Sequence, residues 1–240
     1  MAKIVGKAAF LSDIHLGNKA CNAKALNSFL DKLDVDILFL VGDIIDLWKL
    51  NRGWYWDKEH SKALRKILKH KNVIYIPGNH DEWFRDYIGE DFGNISIHRN
   101  YVYESIDWHK LLIFHGDEID KFVLDHKSTA MLGAWMYDLL IELNTFWRYT
   151  YWLVRRKQPK FSISLWLKHK AKEATQYMGG FEAAAVEYAR SHGCDGAICG
   201  HIHNPVASHP YYNCGDWVEN CTYILESHEG RFIKGQWKDE

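Results

Sequence analysis

Asp36-Ile37-Leu38-Phe39-Leu40-Val41-Gly42-Asp43-Ile44-Ile45-Asp46 is an apolar run without alternation that halts at a glycine and an acid. Neighbouring side chains of a strand point to opposite faces, so a strand hidden on both faces needs apolar residues in succession. The stretch therefore reads as a central strand of an α/β sheet, with Asp43 carried just past its end. The same event recurs along the chain. Ala8-Ala9-Phe10-Leu11 leads to Asp13-Ile14-His15, and Val73-Ile74-Tyr75-Ile76 leads to Gly78-Asn79-His80-Asp81. Lys110 to Phe114 leads to His115-Gly116-Asp117, and Gly196-Ala197-Ile198-Cys199 leads to Gly200-His201-Ile202-His203. Ala23 to Leu33, Lys58 to Leu68 and Phe181 to Ser191 carry apolar residues at helical spacing. Strands alternating with helices predict a sheet covered by helices. After Pro205 come short strand-like runs, Val206 to Ser208, Tyr211 to Asn213, Thr222 to Glu226 and Arg231 to Trp237. These are expected to continue a sheet with antiparallel strands.

A chain of 240 residues, 47% of them apolar, suits one large domain or a domain carrying an insertion. A net charge of -1 gives no global positive field of the kind that draws nucleic acid. The five cysteines, at 21, 194, 199, 214 and 221, have no CxxC spacing and fit a reducing compartment. Val5 to Leu11 meets Ser12-Asp13 at once, so it reads as a core strand and not a signal peptide. No run approaches the roughly 18 apolar residues of a membrane span. The expected location is the cytoplasm, with a peripheral contact to the inner membrane left open. Residues 119–177 break the strand rhythm. Phe122, Met131, Trp135, Met136, Trp147 and Trp152 are interleaved with or followed by Arg148, Arg155, Arg156 and Lys157. Two or three inserted helices are expected there, with a boundary at Pro159.

The strand-end residues are metal-ligand types. Carboxylates supply the charge that holds two divalent cations close together, and one carboxylate can bridge both. Neutral imidazoles and an Asn carbonyl complete the shells without added charge. Asp13 and His15 alternate past one strand end, Asp43 takes the bridging place, Asn79 and His115 close two further strands, and His201 and His203 share a loop. Any one of them alone would be a core, capping or surface residue. Their gathering at five strand ends points to a two-metal centre.

Asp13-x-His15, Gly42-Asp43-x-x-Asp46, Gly78-Asn79-His80-Asp81, His115-Gly116-Asp117 and Gly200-His201-x-His203, in this order, resemble the full signature of the calcineurin-like metallophosphoesterases. The resemblance implies a four-layer α/β/β/α sandwich, with residues 1–118 and 178–240 as the catalytic domain and 119–177 as a helical cap. It implies one ion on Asp13, His15, Asp43 and His203 and a second on Asp43, Asn79, His115 and His201, with manganese as the working metal. Such a pair clamps phosphoryl oxygens for in-line attack by water. His80 would serve the transition state or leaving group. Asp81 would orient its imidazole, cap the following helix, or do both. Asp46 would support Asp43 or His80, and Asp117 and Asn204 would stand behind the ligands.

Ser12-Asp13-Ile14-His15-Leu16-Gly17, the run from His201-Ile202-His203-Asn204-Pro205 to Cys214-Gly215-Asp216-Trp217, and the long insert after Asp117 resemble one branch in particular. These are the UDP-2,3-diacylglucosamine pyrophosphatases of the lipid A pathway, which release UMP and 2,3-diacylglucosamine 1-phosphate. The resemblance implies a nucleotide-linked glycolipid substrate, with acyl chains against the apolar side of the cap and Trp135, Arg148, Arg155 and Arg156 as contacts. No nucleic-acid partner is expected. The best-characterised members of that branch carry arginine where His80 stands, so this chain reads as a second branch. Two alternatives remain. One is hydrolysis of another nucleotide diphosphate conjugate, phosphodiester or phosphomonoester. The other is a non-catalytic metal-binding scaffold, which the intact ligand set and His80-Asp81 oppose.

Overall fold

In the computed structural model, residues 3–49, 53–124 and 180–238 are described, the side chains of 121–124 aside. The chain divides into two compact units, residues 1–118 with 182–240, and residues 119–181. The first unit carries every strand among the described residues. Trp135, Arg148, Arg155 and Arg156, with most of the expected cap, lie outside the described residues.

The strands are β1 (Ile4–Leu11), β2 (Leu33–Val41), β3 (Val73–Ile76), β4 (Asp91–Phe92), β5 (Ile95–Ile97), β6 (Tyr101–Glu104), β7 (Lys110–Ile113), β8 (Gly196–Cys199), β9 (Val206–Ser208), β10 (Tyr211–Asn213), β11 (Thr222–Glu226) and β12 (Phe232–Gln236). The helices are α1 (Ala23–Leu30), α2 (Lys58–Ile67), α3 (Asp117–Leu124) and α4 (180–191). One sheet of seven strands runs β12-β11-β1-β2-β3-β5-β4, and another of five runs β6-β7-β8-β10-β9. At the centre of the larger sheet β1, β2 and β3 are parallel, with Phe10 opposite Phe39 and Leu40 opposite Tyr75.

Two cores explain the unbroken apolar runs. Phe10, Phe39 and Val41 face the second sheet, where they meet Tyr103, Ile113 and Ile198. Their chain neighbours Leu11, Leu38 and Leu40 face the other way and pack with Leu26 and Phe29 of α1 and Ala63 of α2. Phe10 and Phe39 stack at 4.8 Å, and the ring of Tyr103 meets both edge-on. Between the sheets, the Tyr103 hydroxyl and the Ile106 amide both donate to the buried Glu226 carboxylate.

The strands after Pro205 do not continue a single sheet. β11 and β12 extend the first sheet antiparallel to β1, whereas β9 and β10 join the second, and β10 runs parallel to β8. β4, β5 and β6 have no counterpart in the sequence reading. They are short strands at or beside sheet edges, half open to solvent, so they lack a continuous apolar run. Among the described residues no helix is long and apolar enough to cross a membrane. All five cysteines are buried, and none of them forms a disulfide.

Candidate metal centre

The loops that leave β1, β2, β3, β7 and β8 converge at the carboxyl ends of the strands, where open α/β sheets form their sites. A mesh of main-chain bonds holds them in register. The Asp13 amide donates to Gly42 O at 3.0 Å, His15 to Asp43 O at 2.9 Å, and Leu16 to Ile44 O at 2.8 Å. Gly200 donates to His115 O at 2.9 Å and Trp217 to Asp13 O at 3.0 Å. These tight reversals need unusual backbone. Asp13, His15, Asp43, His201 and His203 all have positive φ, between 51° and 68°. Such geometry costs a non-glycine residue about 1–3 kcal/mol, and it collects at functional sites.

Each candidate ligand carboxylate is split between two tasks. Asp13 Oδ2 accepts the His201 amide at 2.9 Å, while Oδ1 lies 3.2 Å from His203 Nε2 without a well-formed hydrogen bond. Asp43 Oδ1 accepts the His80 amide at 2.8 Å. Its Oδ2 faces three imidazoles, with Nε2 of His115 at 3.4 Å and Nε2 of His15 and of His80 at 4.0 Å. Glycines make this approach feasible. A Cβ on Gly78 would sit 2.2 Å from Asp43 Oδ1, and one on Gly42 would sit 2.1 Å from His115 Nδ1.

The charges are coupled. Burial disfavours a charged Asp43, yet His115, His15 and His80 around it hold its carboxyl far below the usual range. Burial likewise opposes a charged His115, but Asp43 pushes it up to about 10. Asp13 is also held low against its burial, by His203 and His115. Burial lowers His15.

A divalent cation fits this donor set. Asp13 Oδ1, Asn79 Oδ1, His15 Nδ1 and His115 Nε2 are buried and make no hydrogen bond, a costly state for polar atoms unless another partner takes them. His115 Nδ1 donates to Val41 O at 3.0 Å, which fixes the tautomer and presents Nε2 inward. Three ligand groups lie within cation reach: Asp13, His15 and His203; His15, Asp43 and His80; and Asp13, Asp43 and His115. Of the expected ligands, His201 meets the His115 ring edge-on at 5.1 Å. His80, expected to serve the leaving group, also stands where it can reach a cation with His15 and Asp43.

Asp81 does not orient His80. Its buried carboxylate accepts the amides of Asp43, Ile44, Ile45 and Gly78, at 2.6 to 3.3 Å, and the Tyr75 hydroxyl at 2.5 Å. Nor does its side chain cap the 3-10 turn over Glu82–Tyr87. It ties the loop after β2 to the loop after β3 instead. The orienting carboxylate is Asp46, whose Oδ1 lies 3.1 Å from His80 Nδ1 and whose Oδ2 accepts from Asn18 Nδ2 at 3.0 Å. Asp117 is engaged by Arg85, which reaches both of its oxygens at 2.8 and 2.9 Å. Sequence reasoning missed Asn18 and Trp48. The Trp48 indole stacks on the His80 ring at 4.0 Å, and its only trace in the sequence is an aromatic residue two places beyond Asp46.

A model of the calcineurin-like phosphoesterase family matches residues 6–205. Among curated proteins, the DNA polymerase II small subunit of Halobacterium salinarum, in two strains, is 25% identical over 150 residues. That match takes in 51% of this chain and 29% of the relative, so the chain spans less than a third of its length. Among solved structures, a conserved uncharacterized protein of Streptococcus pneumoniae, described as a predicted phosphoesterase, is 13% identical with a TM-score of 0.36, covering 95% and 96% of the two chains. Vacuolar protein sorting 29 of Cryptosporidium parvum is 13% identical with a TM-score of 0.43, covering 95% of each. A mutant Vps29 of Entamoeba histolytica is 10% identical with a TM-score of 0.41, covering 96% and 99%.

Proposed function

Because the chain belongs to the calcineurin-like phosphoesterase family, we propose that it is a two-metal phosphoester hydrolase acting on a nucleotide-linked pyrophosphate of the UDP-2,3-diacylglucosamine type. The observation that carries the hydrolytic reading is Asp43 Oδ2, ringed by the Nε2 atoms of three histidines, beside buried ligand atoms without hydrogen-bond partners.

Asp13, His15, Asp43 and His203 would hold one divalent ion, and Asp43, Asn79, His115 and His201 the other. Bound there, the ions supply Lewis-acid activation of water and positive charge for the phosphoryl oxygens. The chain supplies the rest. Val41 O and Asp46 orient the rings of His115 and His80. With Nδ1 directed at Asp46, His80 presents Nε2 to the substrate and can hand a proton to the departing oxygen. The amides given to Asp13 Oδ2 and Asp43 Oδ1 leave each carboxylate one oxygen for metal.

The lipid-linked substrate is supported by the Ser12 to Gly17 run, by the stretch from His201 to Trp217, and by the aromatic and basic insert at 119–177. Trp135, Arg148, Arg155 and Arg156 are its proposed contacts, and manganese is the proposed metal. The protein purified with manganese should hydrolyse bis-p-nitrophenyl phosphate and lose that activity to a chelator; a fully loaded but inert protein would overturn the hydrolase reading. It should also cleave UDP-2,3-diacylglucosamine in preference to UDP-sugars without acyl chains. Equal rates on the two would remove the lipid and keep the hydrolase.

A further inference from the structure

Trp48 lies outside both cores, on a 3-10 turn over Leu47–Lys49 that buries none of its side chains, and it is 53% exposed. An exposed indole is normally free to choose its rotamer, yet this one lies over the His80 ring at 4.0 Å and 29°. The turn beneath it is fastened to the same loop, since the Leu47 amide donates to His80 O at 3.0 Å. His80 is thus gripped from three sides. Asp46 holds Nδ1 at 3.1 Å, the His15 ring meets it edge-on at 4.7 Å, and Trp48 covers its open face.

We propose that Trp48 is a positioning residue that fixes the plane of His80 so that Nε2 stays on line with the departing oxygen. This rests on the hydrolase reading above. In the step concerned, water oxygen bonds to phosphorus as the bond to the leaving oxygen breaks. That oxygen takes its proton from His80 Nε2, and the proton released by the attacking water restores the balance. A hydrogen bond at Nδ1 alone leaves the imidazole free to swing about the Nδ1–Asp46 line. A stacked indole removes that freedom, and offset stacking is one of the two favoured arrangements of flat rings. Small misplacements of a proton donor weaken catalysis most where the leaving group needs the proton most.

The test compares Trp48→Ala, Trp48→Phe and wild type on two diesters, bis-p-nitrophenyl phosphate and diphenyl phosphate, with metal content measured in each. Nitrophenolate departs readily without a proton, and phenolate does not. The expected result for Trp48→Ala is an unchanged metal content, a kcat on diphenyl phosphate lower by about tenfold or more, and little change on the nitrophenyl ester. Trp48→Phe, which keeps a flat ring, should recover most of the loss. Equal losses on both substrates, a change in KM alone, or loss of metal would overturn the assignment and leave the hydrolase reading standing. A metal-loaded wild type inactive on both substrates would overturn the hydrolase reading, and this assignment with it.

Discussion

Gly200 has so little room that a Cβ there would lie 2.5 Å from Asp13 Oδ2 and from Ser12 Oγ. Gly200→Ala should therefore displace the carboxylate and reduce bound metal and activity together, measurable by metal analysis beside kinetics. Asp43→Asn should have the same double effect, because it removes the charge that His15, His80 and His115 share. His80→Ala should keep its metals and lose rate by about 10²–10⁴-fold, the usual worth of a placed proton donor. Metal loss in that variant would instead make His80 a ligand, a place the geometry also permits. At this scale the candidate ligands were easy to single out in the sequence, since Asp, His and Asn beside glycines at strand ends are chemically conspicuous. Their supports were read in part. Asp46 is expected behind Asp43 or His80 and does meet His80, whereas Asp81, expected to orient His80 or cap the next helix, gathers backbone amides. Trp48 was invisible, because stacking on a ring 32 positions away in sequence leaves no local pattern.

The fully buried strands were among the most legible elements, and of the half-exposed ones β9 was read with its bounds. β3 and β8, buried along their whole length, match the sequence reading residue for residue, whereas β4, with both residues exposed, left no signal. Helix α2 shows how local chemistry sets a boundary. Asp57 accepts the amides of Glu59 at 2.8 Å and His60 at 3.0 Å, and the His60 ring turns back toward it, which closes a capping box. The His60 contact and these amides pull the Asp57 carboxyl from its ordinary 3.8 to about 2. A depressed carboxyl contributes stability above its unfolded value, and that contribution fades as pH falls through the folded one. Asp57→Asn should therefore melt at a lower temperature than wild type above about pH 4, and the difference should shrink toward about pH 2. A gap independent of pH would show that the charge at this cap is immaterial.

Across the whole molecule, the candidate ligands come from both sheets: Asp13, Asp43 and Asn79 follow strands of the first, while His115, His201 and His203 follow strands of the second. Beyond Tyr103, Ile106 and Glu226, which bridge the sheets by hydrogen bonds, a cation at the centre would join them again. Metal that binds only the folded chain should raise its melting temperature, by an amount equivalent to about 2.7 kcal/mol at a hundredfold excess over Kd. Calorimetry with and without a chelator checks this, and identical transitions would argue that the centre does not load. Because His115 is held up to about 10, loading should also release a proton near neutral pH, seen as a dependence of binding heat on the buffer.

The divided carboxylates carry a consequence for descent. Asp13 and Asp43 each commit one oxygen to the amide of another loop, so their value to the architecture survives the loss of any chemistry. The imidazole of His203, with 40% of its side chain exposed, faces two carboxylates, Asp13 at 3.2 Å and Asp216 at 4.0 Å, but ties down no backbone amide among the described residues. A lineage released from catalysis should shed that histidine early and its aspartates late. In the metal-free protein the same order should be measurable now, with Asp13→Ala lowering the melting temperature more than His203→Gln does.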